Sequence, residues 1–143
     1  PPTYLDAAHN PDGAKALGEA LPEVADSCPV VAVLAILADK DARAMIRAMV
    51  PGVASAVCTN LPSADGPQSG QIGRLEARRR GFSADDLVHA CVEAGLAAEA
   101  EPDFGAAVAR GRELALDVGG VLLVTGSHYA LAPARDALRL CED

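Results

Sequence analysis

The sequence predicts an α/β fold: a Rossmann-like, mostly parallel sheet with helices on both faces. Strand-like apolar runs alternate with amphipathic helical stretches in the order βαβαβαβα. The strongest runs, Val30-Val31-Ala32-Val33-Leu34-Ala35-Ile36-Leu37 and Val121-Leu122-Leu123-Val124, are continuously apolar, as suits strands covered on both sides. Helices between the strands supply the right-handed crossovers that parallel neighbours need.

The elements follow in order. Tyr4-Leu5 ends a first apolar strand and leads directly into Asp6-Ala7-Ala8-His9-Asn10-Pro11-Asp12-Gly13. Asn10 is a good N-cap and Pro11 suits the first helical position, with Ala14, Leu17, Leu21 and Val24 as the apolar stripe behind them. After the strand Val30 to Leu37, Asp39 and Asp41 favour a helix start, and Ala42, Met45, Ile46, Met49 and Val50 form its buried side until Pro51-Gly52. Val53 to Thr59 is the next strand.

Ser83, with Asp86 three residues on, approximates a capping box for a helix whose stripe is Leu87, Val88, Cys91 and Val92 and whose stop is Gly95. Leu96 to Ala100 is a weaker strand. Asp103 can cap a helix with Phe104, Ala107, Val108, Gly111, Leu114 and Ala115 on one face. Gly119-Gly120 breaks that helix before the strand Val121 to Val124. A last helix carries Leu131, Ala134, Leu138 and Cys141, its regular part expected to start near Pro133 after an irregular turn.

Residues 60–80 depart from this rhythm. Leu61-Pro62-Ser63-Ala64-Asp65-Gly66-Pro67-Gln68-Ser69-Gly70 has no hydrophobic period, and a connection of this length is either disordered or functional. Gly66, Gly70 and Gly73 do not make a P-loop, because no Gly-Lys-Ser/Thr follows. The segment reads as a mobile insertion in a single domain spanning 1–143.

Composition narrows the function. Aromatic residues are 3% of the chain and Trp is absent, so the core must be aliphatic and alanine-rich. A net charge of −8 argues against a nucleic-acid surface. The basic cluster Arg74, Arg78, Arg79 and Arg80 reads most simply as a solvated face. No apolar run reaches membrane-spanning length and no signal peptide is evident, so a soluble, cytoplasmic protein without a membrane partner is expected. The start at Pro1-Pro2, without Met, suggests a fragment or a processed product. Cys28, Cys58, Cys91 and Cys141 never form a CxxC, so neither a metal site nor a disulfide framework is expected; Cys58, Cys91 and Cys141 read as core thiols.

Parallel strands end on the same side, which should bring Asp6, His9, Asp39 and Ser127 to one edge. Free backbone N–H groups at the Asn10-Pro11 helix start attract anions, and Asp6 and His9 add a handle for a sugar or an amine. Capping alone accounts for Asn10, but not for Asp6 and His9 together. Ser127 offers a hydroxyl to a carboxylate or phosphate, or simply caps a turn. Asp39 and Lys40 read most simply as surface charges at a helix start, His128 and Tyr129 could simply pack, and His89 reads as structural or exposed.

Asp6-Ala7-Ala8-His9-Asn10-Pro11, Leu37-Ala38-Asp39-Lys40-Asp41 and Val124-Thr125-Gly126-Ser127-His128-Tyr129 occur in the order seen in one family. The chain resembles the C-terminal domain of folylpolyglutamate synthase/dihydrofolate synthase, ATP-dependent amide ligases of the Mur ligase superfamily. Ala7 stands where that family usually has Gly, His128 where an apolar residue is usual, and Pro133-Ala134 where Gly-Glu is usual. The resemblance implies a further, antiparallel edge strand pairing near Thr3 to Asp6. It also implies ATP and Mg²⁺ as cofactors and L-glutamate and a folate as substrates. By the same resemblance Asp6 contacts ATP, His9 lies at the reaction centre near both nucleotide and glutamate, Asn10 shapes the nucleotide-side turn, and Ser127 helps hold the amino acid.

The implied chemistry is formation of an acyl phosphate on the folate carboxylate, followed by attack of the glutamate amine. The family carries its P-loop and most Mg²⁺ ligands on a central domain, with an N-terminal part before it. Neither is among these residues, so residues 1–143 alone are expected to be inactive. Alternatives are the same domain of another Mur-type amide ligase and a free-standing nucleotide- or anion-binding module. A nicotinamide-binding domain ranks below these, since no GxGxxG follows a strand.

Overall fold

The computed structural model describes residues 1–62 and 80–142. The Gly-rich stretch with Gly66, Gly70 and Gly73, the basic residues Arg74, Arg78 and Arg79, and hence most of the expected insertion lie outside the described residues.

The chain forms β1 (Thr3–Leu5), α1 (Pro11–Val24), β2 (Val30–Leu34), α2 (Ala42–Met49), β3 (Ser55–Cys58), α3 (Ala84–Glu93), β4 (Ala98–Ala100), α4 (Phe104–Asp117), β5 (Val121–Thr125) and α5 (Leu131–Glu142). Among the described residues there are also single 3₁₀ turns at Val50–Gly52 and His128–Ala130. The sheet order is β1-β5-β2-β3-β4, and every strand pair is parallel. This is the expected Rossmann-like architecture. The antiparallel edge strand is not found among the described residues, where β1 itself forms the edge, parallel to β5.

Side chains alternate between two buried layers because successive strand residues point to opposite faces. Val30, Ala32 and Leu34 of β2, with Leu123 of β5, pack against Ala14 and Leu21 of α1, Met45 and Ile46 of α2 and Leu87 of α3. Val31 and Val33, with Leu122 and Val124, pack against Phe104 and Val108 of α4 and Ala134 and Ala137 of α5. The first three crossovers therefore share one face. The return from β4 to β5 uses the other, as right-handed winding requires when the chain reverses direction along the sheet.

The helix starts follow the residues that read as caps. Asn10 Oδ1 accepts from Gly13 N–H at 2.7 Å, Asp41 Oδ1 from Ala44 at 3.1 Å, Ser83 Oγ from Asp86 at 3.1 Å and Asp103 Oδ2 from Ala106 at 2.8 Å. Asn60 adds a long-range cap, accepting from Ala84 N–H at 2.7 Å and tying the end of β3 to α3.

Strand ends are shorter than the apolar runs. Regular β2 pairing stops at Leu34, although Ala35, Ile36 and Leu37 stay buried. Beyond it the backbone turns to a new partner: Phe82 N–H donates to Ile36 at 2.8 Å and Ala38 N–H to Arg80 at 2.8 Å, around an antiparallel bridge between Leu37 and Gly81. β3 and β4 are likewise confined to Ser55–Cys58 and Ala98–Ala100.

Two stripe residues are exposed. Val24 is 44% exposed because the buried side of α1 continues to Ala25, and Val92 is 62% exposed because α3 buries Ala90 and Cys91 instead. α5 begins at Leu131, so Pro133 takes its third position, where a missing N–H breaks no intrahelical bond.

Cys58 and Cys91 are buried with their sulfurs 3.7 Å apart, whereas Cys28 is exposed and Cys141 only half-buried. The hydrogen bond with Cys91, and then burial, hold the Cys58 thiol far above the ordinary thiol range.

Close packing of α1 on α2 depends on Gly18, where a Cβ would stand 2.5 Å from the Ala48 carbonyl oxygen. Gly18→Ala is expected to lower the free energy of unfolding by about 1–3 kcal/mol, since strain at the contact outweighs the improved helix propensity. Urea denaturation of both proteins checks it.

Candidate functional site

The turns that follow the parallel strands share one edge of the sheet. At that edge β5 lies between β1 and β2, yet the chain leaves β5 for the face carrying α5, whereas β1 and β2 send it to the face carrying α1 and α2. The turns diverge on either side of β5. This is the topological switch at which open α/β sheets bind ligands.

The turn after β1 is fixed by its own polar groups. Asp6 N–H donates to the Val124 carbonyl at 3.0 Å, carrying the β1–β5 pairing one residue beyond the strand. Asp6 Oδ1 accepts from Ala8 N–H at 2.8 Å, which leaves the other carboxylate oxygen of this half-buried residue for a ligand. His9 Nδ1 lies 3.0 Å from the Ala7 carbonyl. A carbonyl only accepts, so Nδ1 carries the proton and Nε2 of this exposed imidazole is left for other partners.

At the start of α1, Gly13 N–H is taken by Asn10 Oδ1, and Ala14 N–H makes the first intrahelical bond, to the Asn10 carbonyl at 3.0 Å. Pro11 has no N–H, so the Asn10 and Asp12 N–H groups are left without a partner among the described residues, and Asn10 acts as a cap that takes one of the anion-attracting groups.

The turn after β5 begins at Thr125, which is fully buried and whose Oγ1 has no hydrogen-bond partner among the described residues. Gly126 follows at φ +112°, and a Cβ there would lie 2.5 Å from the Ala35 carbonyl oxygen; both conditions demand glycine. Ser127 is buried, and its Oγ accepts from Tyr129 N–H at 3.1 Å, capping the 3₁₀ turn. That accepted bond leaves the hydroxyl proton for a second partner.

The two turns meet through rings. The His9 and His128 centroids are 6.0 Å apart with planes at 84°, and Tyr129 lies over His128 at 4.2 Å with a 34° tilt. The structure thus joins Asp6, His9, Asn10, Ser127, His128 and Tyr129 at the β1/β5 side of the switch. Asp39 and Lys40 sit on the turn after β2, on the other flank of β5, and His89 is exposed on α3. Thr125 escaped the sequence reading although it lies within the Val124 to Tyr129 motif, because strand position alone does not reveal whether a hydroxyl finds a partner.

Beside Asp6 and Gly13 an open groove of about 530 Å³ runs along α1 and β1, with Tyr4, Leu17, Leu21 and Leu123 in its apolar wall. Tyr4 Oη donates to the Val24 carbonyl at 3.1 Å, linking β1 to the far end of α1. Among the described residues no group of three or more His, Cys, Asp or Glu side chains is placed to hold a metal ion. Among the described residues no helix is long and apolar enough to cross a membrane.

Thr125→Val keeps the side-chain shape and removes the unpartnered hydroxyl. It is expected to raise the free energy of unfolding by about 1 kcal/mol. Thermal and denaturant unfolding of the two proteins measure the change.

Comparison with known proteins places this geometry. A family model described as the Mur ligase, glutamate ligase domain matches residues 1–128. A dihydrofolate synthase/folylpolyglutamate synthase from Mycobacterium tuberculosis is 42% identical over 60 residues, which are 42% of this chain and 12% of that protein. The folylpolyglutamate synthase structure from the same organism, complexed with ADP, superposes with a TM-score of 0.74 at 27% identity, covering 94% of this chain and 29% of the other. A bifunctional folylpolyglutamate synthase/dihydrofolate synthase with Mn, AMPPNP and L-glutamate bound gives 0.65 at 26% identity, with 94% and 29% covered. The chain therefore spans less than a third of the length of these proteins.

Proposed function

This chain belongs to the Mur ligase, glutamate ligase domain family, and from that premise we propose that it is the C-terminal domain of a cytoplasmic, ATP- and Mg²⁺-dependent ligase that adds glutamate to a folate. The observation that carries the reading is the meeting of two turns at the β5 switch, with His9 of one and His128 of the other 6.0 Å apart. The relatives support the ligand classes, since their structures hold ADP in one case and Mn, AMPPNP and L-glutamate in another.

In the proposed reaction the folate carboxylate takes the terminal phosphoryl group of ATP and becomes an acyl phosphate, releasing ADP. The amine of glutamate then attacks the acyl carbon, and phosphate leaves through a tetrahedral intermediate. Such chemistry depends mainly on positioning and charge neutralisation.

Asp6 fits a ribose: with one carboxylate oxygen anchored by Ala8 N–H, the other accepts from sugar hydroxyls. Asn10 serves the nucleotide indirectly by holding the turn that carries Asp6 and His9. His9 is the catalytic and positioning residue of this domain, because its anchored Nδ1 leaves Nε2 to take a proton from the attacking amine. Ser127 donates its remaining hydroxyl proton to the amino acid. By the family resemblance the Mg²⁺ ligands lie mostly on a central domain, and no metal-dependent step is assigned to this chain.

Two measurements test the reading. Purified residues 1–143 are expected to form no ADP in the presence of ATP, Mg²⁺, a folate and L-glutamate; folate- and glutamate-dependent ADP formation would count against the missing-domain assignment. In the longer ligase, Asp6→Ala is expected to raise the KM for ATP about tenfold, the loss of one charged hydrogen bond, and His9→Ala to lower kcat by about a hundredfold or more. If both variants fold and leave ATP and glutamate kinetics unchanged, the site lies elsewhere.

A further inference from the structure

We propose that Cys58 and Cys91 form a reversible dithiol/disulfide site: a hydroperoxide oxidises the buried pair to a disulfide that bolts α3 to the end of β3. The site uses none of the residues assigned to the ligase reaction.

Burial alone asks for small apolar side chains at these positions, not for two sulfurs in contact. Both cysteines are fully buried with their Sγ atoms 3.7 Å apart, and among the described residues neither sulfur has another hydrogen-bond partner. Their backbones are anchored separately. Cys58 ends β3, opposite Leu34 of β2 on one side and Ala100 of β4 on the other, and its carbonyl accepts from Glu101 N–H at 2.9 Å. Cys91 lies near the end of α3, and its carbonyl accepts from Leu96 N–H at 2.9 Å, on the short connection that returns to β4. A disulfide brings sulfurs to about 2 Å, so closure of about 1.7 Å is needed, which side-chain rotation supplies. The other two thiols are elsewhere: exposed Cys28 precedes β2 at the opposite end of the strands, and Cys141 is on α5, across the sheet.

The two sulfurs have different parts. The hydrogen bond from Cys58 lowers the pKa of Cys91 against the opposing effect of burial, while Cys58 is held protonated as the donor. Cys91 is therefore the attacking sulfur. It attacks one oxygen of hydrogen peroxide and the O–O bond breaks; the departing hydroxide takes the Cys91 proton and leaves as water, with a sulfenic acid on Cys91. Cys58 sulfur then attacks Cys91 sulfur, the S–O bond breaks, and the second hydroxide leaves with the Cys58 proton as water. Two electrons pass from the thiol pair to the peroxide. Hydrogen peroxide is close to water in size, which suits a site whose sulfurs have no exposed surface. A small thiol reverses the reaction by exchange through a mixed disulfide.

The bond joins positions 33 residues apart and so removes conformational freedom from the unfolded chain. In the folded protein it acts beside the Asn60–Ala84 hydrogen bond, which already ties the chain after β3 to the start of α3. Oxidation at this site therefore strengthens the layer, whereas a lone buried thiol would carry bulky, polar oxygen into the core.

The test uses the 143-residue chain carrying Cys28→Ser and Cys141→Ser, so that only the buried pair reacts. The folded protein is treated with hydrogen peroxide, and intact mass, peptide maps and thermal unfolding are compared before and after. Oxidation is expected to remove about 2 Da, link the peptides that contain Cys58 and Cys91, and raise Tm by about 5–10 °C. Dithiothreitol should reverse all three changes. In Cys58→Ala the mass loss should give way to oxygen added at Cys91, a gain of about 16 or 32 Da. The unsubstituted chain is mapped in parallel, so the result does not depend on the folding of any variant.

The proposal fails if the folded protein gains oxygen at Cys58 or Cys91 without forming the link, for the pair is then packed thiols only. It fails equally if the link forms only in urea, or if the linked protein melts below the reduced one. It also fails if both thiols stay reduced after Cys28 of the unsubstituted chain is fully oxidised.

Discussion

The constraint on which the rest depends is the insertion of β5 between β1 and β2. β5 is bonded on both sides, with Leu122 opposite Thr3 on one flank and Val31 on the other, and every residue in it is buried. Its last two carbonyls hold both neighbouring turns: Val124 accepts from Asp6 N–H at 3.0 Å and Thr125 from Ala35 N–H at 3.3 Å. The position of Asp6 and the approach of His9 to His128 are thus consequences of sheet pairing. The strand that organises the edge is also the last to appear in the sequence, so the site assembles only when long-range contacts close.

Much of this was legible because the signals were local. Asn10, Asp41, Ser83 and Asp103 cap helices where a short polar side chain meets an apolar period, and each bond is made to the N–H three residues on. The continuous runs at Val30 and Val121 announced strands covered on both faces, and both lie inside the sheet. The sequence was less informative about where strands stop. An apolar run records burial, and Ala35 to Leu37 remain buried after β2 pairing ends because the segment beginning at Arg80 supplies the next backbone partners.

The shared edge was legible and the wiring was not. Convergence of parallel strand ends puts Asp6, His9, Asp39 and Ser127 on one edge, and in the structure Asp39 stands across β5 from the other three. The helix start offers fewer free N–H groups than a bare one, because Asn10 Oδ1 takes that of Gly13 and Pro11 has none, which leaves those of Asn10 and Asp12. Val24 and Val92 were misjudged because helical spacing gives a face, while the neighbouring layer decides how wide a strip of it is covered. An alanine-rich core fits this architecture, since Gly18 against Ala48 and Gly111 against Val33 leave room for no larger side chains.

The thiol pair between β3 and α3 has a consequence of another kind. Cys58 and Cys91 have no solvent-exposed surface, and Cys58 stands at the end of the strand from which the chain departs toward its long connection. An alkylating reagent reaches either sulfur only when α3 lifts from the sheet, whereas Cys28 reacts from the surface at any moment. Cys28, Cys58 and Cys91 therefore form a built-in chronometer. The ratio of slow to fast labelling gives the frequency with which that layer breathes, residue by residue, in the native protein and without any inserted probe.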